Sequence, residues 1–508
     1  MLIISILYQI ISSSVTFRRD KSMLYSRISI LIMLYSSILV YNSLSVSSLS
    51  KGIGLYNGLF HITPLTQGFS LFILIITTII LFITAFYTRK DGSDKKIEQF
   101  KVIEYSLLIS FIVSGALLLV CASDLVSVFI SIELQSYGLY LLCTIYRNSE
   151  RATLGGLTYF LLGGLSSCFI LLGIALLYVN TGTTNLDNIY IITNLAEYNI
   201  LSPYNYDNIN YALIIMCIGF LFKVAGAPFH TWAPDVYDAI PTVVTTFVAL
   251  IPKISIFIFM VEIVNHTSDF ILVNQIPWTS ILALSSLMSL IVGSVLGLSQ
   301  SRIKRLFAYS TISHVGFILL ALSSNSVESL QAFMFYLIQY SLANLNIFLI
   351  LLSIGWYLIR SIKKEASRLQ DVDYSPVQYI TQIKGFLHVN TMLGISLSLT
   401  IFSFVGIPPL IGFFAKQMVL SSALDNGYIF ISLIAILTSV IGAVYYLNLV
   451  KEIFFEKPYY IVEREFVTLS GYLSITISIL TLIIISYMFV PQELLNATNI
   501  LSLSLVFS

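Results

Sequence analysis

Five ionisable residues stand inside long apolar stretches, with types and spacing suited to handing on a proton: Glu133, Lys223, Lys253, His314 and Lys416. A lysine held ionised at mid-bilayer costs about 2.5–3.5 kcal/mol on insertion scales, and such a group lowers that cost by pairing with an opposite charge or by giving up its proton. Glu133, in DLVSVFISIELQSYGLYLLC, has no basic residue within ten positions, so its partner must come from another segment. Snorkelling to an interface is the alternative for a lysine within a turn of the headgroups. It accounts poorly for Lys253 and Lys416, which follow long apolar approaches. His314, in AYSTISHVGFILLAL, reads either as a hydrogen-bonded core imidazole or as a relay, since imidazole titrates near neutrality. Glu104, three residues from Lys101, reads equally as an interfacial pair and as a functional acid.

These side chains need a scaffold that keeps water away from them. Of the 508 residues 57% are hydrophobic and 10% charged, against about 25% charged in an average soluble chain, so the solvent for this surface is lipid. A net charge of +1 offers no basic face to nucleic acid; membrane lipids are the expected surroundings. Runs of the length needed to cross a bilayer, about 20 residues, fall at 2–17, 23–46, 68–88, 101–121, 125–146, 152–180 and 209–227. Others follow at 240–262, 277–299, 302–323, 327–359, 391–421, 427–450 and 467–489. The expected fold is an all-α polytopic membrane protein with about fourteen transmembrane helices.

Charge provides an independent test, because short loops kept on the cytoplasmic or matrix side collect Lys and Arg. Of the 26 Lys and Arg residues, all but Lys51, Lys223, Lys253 and Lys416 follow odd-numbered spans, in clusters such as Arg302, Lys304 and Arg305. The opposite segment 181–208 carries Asp187, Glu197 and Asp207 and no basic residue. Both termini are therefore expected to face away from the positive side.

Two spans are interrupted beside a lysine. Span 7 reads FLFKVAGAPFHTWAPDVYDAIP, with Gly226, Pro228, Pro234 and Pro241 after Lys223; span 12 reads FVGIPPLIGFFAKQMVL, with Gly406, Pro408, Pro409 and Gly412 before Lys416. Proline removes a backbone donor, and at membrane depth a broken helix is tolerated only inside protein or beside a hydrated cavity. Such breaks in corresponding spans are the mark of repeats. A five-span unit is odd in number, so its second copy must lie inverted. The expected divisions are helices 1–3 (1–100), a first repeat of helices 4–8 (101–262), a second, inverted repeat of helices 9–13 (277–450), and helix 14 with the tail (451–508). Span 5 then matches span 10, and Glu133, Lys223, Lys253, His314 and Lys416 line up across the bundle.

The motifs SIELQSYGLYLL, KVAGAPFHTWAPDVYDAIPTVVTTFVALIPKISIF, SQSRIKRLFAYSTISHVGF and GIPPLIGFFAKQMVL together resemble the antiporter-like membrane subunits of the proton-pumping NADH:ubiquinone oxidoreductase, respiratory complex I, in its mitochondrially encoded form. The resemblance covers roughly residues 68 to 490. It implies a proton-translocating subunit of an NADH:ubiquinone reductase in the mitochondrial inner membrane, with positive loops in the matrix and both termini in the intermembrane space. Its implied partners are other membrane-arm subunits of complex I. NADH, FMN, iron–sulfur clusters and ubiquinone would belong to those partners, with no redox centre, cofactor or metal in this chain. The resemblance also carries over Glu133 as the span-5 acid, Lys223 as its span-7 partner, Lys253 as the span-8 connector and Lys416 as the span-12 terminal site; His314 lies within the span-10 motif.

On that basis Glu133 is expected to stabilise protonated Lys223, and weakening of the pair to send the proton through Lys253, His314 and Lys416, bridged by water at the broken spans. A phosphate-cradling G-x-x-x-x-G-K-[ST], cysteine clusters for iron–sulfur centres and a G-x-G-x-x-G after a strand are absent from the sequence. Two other readings compete: a subunit of a multi-subunit cation/proton antiporter, and a structural subunit that conducts nothing. Cys121, Cys143, Cys168 and Cys217 stand singly and read as small core residues. Trp232, Trp278 and Trp356 lie near span ends, where interfacial anchoring is the default. Gly155, Gly156, Gly163, Gly164, Gly293 and Gly297 mark close helix contacts.

Overall fold

A chain in lipid must satisfy its backbone polar groups within each crossing segment, and here helices do so. The computed structural model describes residues 1–15, 22–46, 49, 52–86, 104–146, 149–197, 206–267, 277–362, 375–457 and 471–506. The helices are α1 (Leu2–Val15), α2 (Ser22–Ser43), α3 (Pro64–Phe86), α4 (Glu104–Val120), α5 (Leu125–Thr144), α6 (Glu150–Thr181), α7 (Leu186–Glu197), α8 (Tyr206–Val224), α9 (Trp232–Ala239) and α10 (Thr242–Thr267). There follow α11 (Ser280–Leu298), α12 (Ile303–Ser324), α13 (Val327–Ile362), α14 (Phe386–Val389), α15 (Thr391–Val405), α16 (Ile411–Asp425), α17 (Ile429–Phe454), α18 (Gly471–Ser486) and α19 (Pro491–Val506).

Among the described residues nine helices are long and apolar enough to cross a membrane, or ten if α18 and α19, bent by 87° at their junction, form one span. Four shorter apolar helices, α1, α4, α8 and α15, lie within other stretches expected to cross. Burial ranks the helices: over an apolar stretch of 18 residues in each, 94% of the residues are buried in α10 and 89% in α12 and α13, against 28% in α6 and 33% in α17. Protein surrounds the first three, so their polar residues, Lys253, His314 and Asn344 among them, point into the bundle, whereas the last two leave a wide apolar face outward.

Two features depart from a purely helical reading. A two-stranded hairpin, β1 (Ile53–Leu55) with β2 (Phe60–Ile62), precedes α3, its turn carrying positive φ at Tyr56, Asn57 and Gly58. It docks on the α4–α5 connection, where the His61 amide donates to the Cys121 carbonyl at 2.8 Å. The acidic segment expected as a loop contains α7, which packs on α10.

Both Gly/Pro breaks interrupt their spans: α8 ends at Val224 and α9 starts at Trp232, while α15 ends at Val405 and α16 starts at Ile411. The first residue of each break has positive φ, Ala225 at 64° and Gly406 at 85°. In each the next amide reaches back across the helix end, Gly226 N–H to Leu221 O at 2.9 Å and Ile407 N–H to Phe402 O at 3.2 Å, a Schellman-type closure of otherwise orphaned carbonyls.

A second correspondence joins the halves. A Cβ on Gly115 of α4 would meet the Gln135 amide and the Ser131 carbonyl of α5, and one on Gly293 of α11 would meet the Ser313 amide and the Tyr309 carbonyl of α12. Gly138 against Ile112 and Gly316 against Leu290 return the contact at matching offsets. Backbone cannot yield as a flexible side chain can, so Gly115→Val or Gly293→Val is expected to destabilise the chain by about 1–3 kcal/mol, measured as a lower thermal midpoint of the assembled protein.

Some expectations need correction. Trp232 and Trp278 are buried and do not anchor at an interface: the Trp232 indole stacks on Tyr159 and donates to the Phe222 carbonyl at 2.8 Å. The Trp356 side chain lies outside the described residues. Cys143 and Cys217 are core residues and Cys121 is half-buried, but Cys168 is exposed on α6, where an apolar thiol can face lipid. Gly156 and Gly163 meet Thr144 and Tyr140, Gly155 meets Ala239, and Gly297 meets Tyr445, while Gly164 borders open space. Glu104 opens α4, but its suggested partner Lys101 lies outside the described residues.

Candidate functional site

Asp124 caps α5, accepting from the Val126 amide at 2.8 Å and from the Thr184 hydroxyl at 2.7 Å, which fixes where the next turns point. Two to three turns on, Glu133 faces α8, where Lys223 occupies the last turn before the break. Their Oε1 and Nζ are 3.8 Å apart, and Lys223 donates to the Ser136 hydroxyl at 3.2 Å. The ion pair is too long to be a hydrogen bond, and Glu133 Oε1 has no hydrogen-bond partner among the described residues. A cavity lined by Gln135, Ser136, Tyr140, Lys223, Trp232 and Pro252 adjoins the pair, with room for about one water molecule.

Gln135 and Ser255 bridge α5 to α10, the Gln135 amide donating at 3.1 Å and the Ser255 hydroxyl at 3.2 Å. Two residues earlier on α10, just after Pro252, Lys253 is 1% exposed. It donates to Thr311 of α12 and Tyr340 of α13, each at 3.3 Å, and its Nζ lies 5.8 Å from the ring centres of Tyr237 and Tyr340. No carboxylate lies within 4.0 Å of it among the described residues.

His314 is also buried, with both ring nitrogens engaged: Nδ1 with the Tyr336 hydroxyl at 2.7 Å and Nε2 with the Tyr446 hydroxyl at 3.3 Å. Its ring lies 4.6 Å from that of Phe404. Lys416 reaches back across the second break to donate to the carbonyls of Phe404 and Val405, at 2.8 and 2.9 Å, and sits 5.6 Å from the Phe317 ring. The free carbonyls that end α15 supply the partial negative charge its ammonium needs. A Cβ at Gly406 would press on the Lys416 side chain.

All five sequence-predicted residues therefore sit inside the bundle, with Glu133 and Lys223 in direct contact and Lys253, His314 and Lys416 separated by hydroxyls, rings and helix ends. The intervening groups were not singled out in the sequence: Ser136, Thr311, Tyr336, Tyr340 and Tyr446. A usable signal was present in Tyr336 and Tyr340, a turn apart on an apolar helix. The matched glycine contacts refine the correspondence of α5 with α12, setting Ser136 against His314 and Glu133 against Thr311. The two broken-span lysines differ as well, Lys223 preceding its break and Lys416 following it.

A cluster of charges ties α9 to the start of α12. Arg302 pairs with Asp238 of α9, and Arg305 contacts Asp235 and Asp238. The hydrogen bond that Arg302 donates to the Asp238 carboxylate holds the guanidinium pKa above its ordinary value. Lys304, expected as a loop charge, is instead buried, donating to the Ile240 carbonyl and the Ser375 hydroxyl, each at 2.7 Å.

The family model of the NADH:quinone oxidoreductase/Mrp antiporter transmembrane region matches residues 122–442, the stretch that holds Glu133, Lys223, Lys253, His314 and Lys416. NADH-ubiquinone oxidoreductase chain 2 of Rhizopus oryzae is 41% identical over 100% of both chains. Among solved structures, a chain of respiratory complex I from Thermus thermophilus with bound aureothin is 24% identical, covers 97% of each chain and gives a TM-score of 0.74. A chain of the Mrp complex from Dietzia sp. shares the fold at 17% identity, over 99% of this chain and 96% of its own, with a TM-score of 0.78. The chain belongs to the NADH:quinone oxidoreductase/Mrp antiporter transmembrane family, on the complex I side of it, as a relative of NADH-ubiquinone oxidoreductase chain 2.

Proposed function

We propose that this chain moves protons as an antiporter-like membrane-arm subunit of complex I, driven by NADH:ubiquinone electron transfer in partner subunits that hold NADH, FMN, iron–sulfur clusters and ubiquinone. The observation that carries the reading is Lys253, buried with hydroxyl partners and no carboxylate within 4.0 Å among the described residues, on a helix between those of the Glu133–Lys223 pair and those of His314 and Lys416. An ammonium in such a place is costly unless its proton is exchangeable. Glu133 holds the proton on Lys223 by charge. When that charge is drawn away or neutralised, the Lys223 ammonium is left unpaired in an apolar site and releases its proton through the adjoining cavity toward Lys253. Tyr340, Tyr336 and His314 offer hydrogen-bonding steps onward, and Lys416, held by the α15 carbonyls, exchanges with one aqueous side. The titrations are coupled.

The same reading gives the protein fourteen crossings in two inverted five-helix repeats, 101–262 and 277–450, with the basic loops in the matrix and both termini in the intermembrane space. The matched glycine contacts and the two similarly closed breaks support the repeats. Full-length identity of 41% to an oxidoreductase subunit favours complex I over an exchanger of the Mrp kind. Copurification of flavin and iron–sulfur proteins would agree with that choice; sodium-dependent exchange without them would reverse it.

In the assembled complex, Lys223→Met or Glu133→Gln is expected to lower proton pumping and quinone-linked turnover together by about ten-fold. Full pumping by a normally assembled Lys223→Met complex would remove Lys223 from the route.

A further inference from the structure

The outward faces of α11 and α17 carry matching apolar stripes. Leu284, Met288, Ile291, Val295 and Leu298 are exposed on α11, and Leu433, Leu437, Val440, Val444 and Leu447 on α17. Each series advances by four and then three residues, and so keeps to one side of its helix. The two helices pack together, and their stripes end where the basic loops begin: Gln300 and Arg302 follow α11, and Lys451 stands in the last turn of α17. At that end a cavity of about 360 Å³ opens between them, a size within the range of about 300–1,000 Å³ of pockets that hold small molecules. The last members of the stripes, Leu298, Val444 and Leu447, line it together with the polar Gln300, Asn448 and Lys451. A Cβ on Gly297 would come within 3.0 Å of the Tyr445 ring, so the bare glycine lets the helices approach closely enough to share the cavity.

Lys451 is exposed, and neither its ammonium nor the Asn448 amide has a partner among the described residues. The acids beside it are already engaged: Lys384 lies 3.1 Å from Glu452 and 4.0 Å from Glu456. Arg302 is likewise held by Asp238. The Lys451 charge is therefore free for an anion from outside the chain. We propose that this groove seats one phospholipid of net negative charge, its phosphate against Lys451 and Asn448 and its two acyl chains along the two stripes. A basic residue at the edge of an apolar band draws an anionic headgroup, and the Asn448 amide can donate to a phosphodiester oxygen. A partner's transmembrane helix could cover the stripes, but it would have to end on a carboxylate to answer Lys451. The lipid meets both demands in one molecule. The inference needs only the chain's membrane setting and is independent of the proton route.

The test uses the whole assembled complex in nanodiscs of phosphatidylcholine with a trace of phosphatidylglycerol that bears a photoreactive headgroup, and locates the adducts by peptide mass spectrometry. Adducts are expected on residues 444–451. They should fall about five-fold in Lys451→Glu, the contribution of one interfacial lysine, and persist in Lys451→Arg. A phosphatidylcholine probe with the same photoreactive group should label these residues several-fold less. Equal labelling by the two probes makes the groove an ordinary bilayer contact and overturns the proposal, and so does labelling that Lys451→Glu leaves unchanged. Absence of adducts there overturns it as well, and cryo-electron microscopy of the same complex would then show whether a partner subunit fills the groove. Where Lys451→Glu fails to assemble, Lys451→Gln is judged by the same labelling.

Discussion

Lys253→Met in the assembled complex is expected to cut proton pumping by about ten-fold or more while leaving the amount of assembled subunit unchanged or raised. The two halves of that expectation have different physical sources. Methionine is close to lysine in length and volume, so the pocket formed by Thr311, Tyr340 and the Tyr237 ring stays filled. Exchanging a buried charge that has no charged partner among the described residues for an apolar side chain removes its desolvation cost, often a neutral or stabilising change. Thr311 also donates to the Ala308 carbonyl at 2.8 Å, so its hydroxyl remains bonded after the exchange. A subunit that merely held its neighbours together would therefore be improved by this substitution. A conducting one would lose the only lysine placed between its two halves among the described residues. Pumping measured as pH change in proteoliposomes, beside subunit abundance on native gels, separates the outcomes, and normal pumping at normal abundance would refute the carrier role.

What could be read from the sequence follows from how rare each signal is in an apolar chain. Glu133, Lys223, Lys253 and Lys416 stood out because a charge among Ile and Leu is costly, and the breaks stood out because Gly and Pro cluster at few places in the spans. Serine, threonine and tyrosine carry no such mark. They are frequent throughout these helices, most of the buried serines and threonines simply donate to a carbonyl of their own helix, as Thr77 and Ser310 do, and only folding selects Thr311, Tyr336 and Tyr340 as neighbours of the charged groups. Position along a span was a poor guide at its ends: Lys304 and Trp232 lie near helix starts, yet are covered by the 375–378 segment and by α6. The hairpin was announced locally by Tyr56, Asn57 and Gly58, since Asn-Gly favours the positive φ of a tight turn, but its strands are too short to show an alternating pattern.

Lys304 supplies the counterpart to Lys253, and Lys304→Met is expected to have the opposite effect: loss of assembled protein, with pumping per assembled complex largely kept. Both lysines are buried, at 2% and 1% exposure, but their partners differ. Lys304 bridges the Ile240 carbonyl, at the junction of α9 and α10, to Ser375, at the start of the segment that returns to α15, each at 2.7 Å. Short bonds from a charged donor are the strong kind. Removing the ammonium leaves the carbonyl and the hydroxyl short of a donor in a buried place, at about 1–3 kcal/mol for each group, and methionine cannot repair either. The neighbouring pairs of Arg302 and Arg305 with Asp235 and Asp238 are more exposed, and exposed pairs hold less, about 0–1 kcal/mol each, so they cannot make up the loss. The α9 half-helix, which carries Tyr237 toward Lys253, would then be tied less firmly to α12. A fall in the thermal midpoint and in the yield of intact complex, with the proton-to-electron ratio of the surviving complex near its unaltered value, is the expected result. Normal stability with abolished pumping would instead place Lys304 on the proton route, at its positive-side mouth.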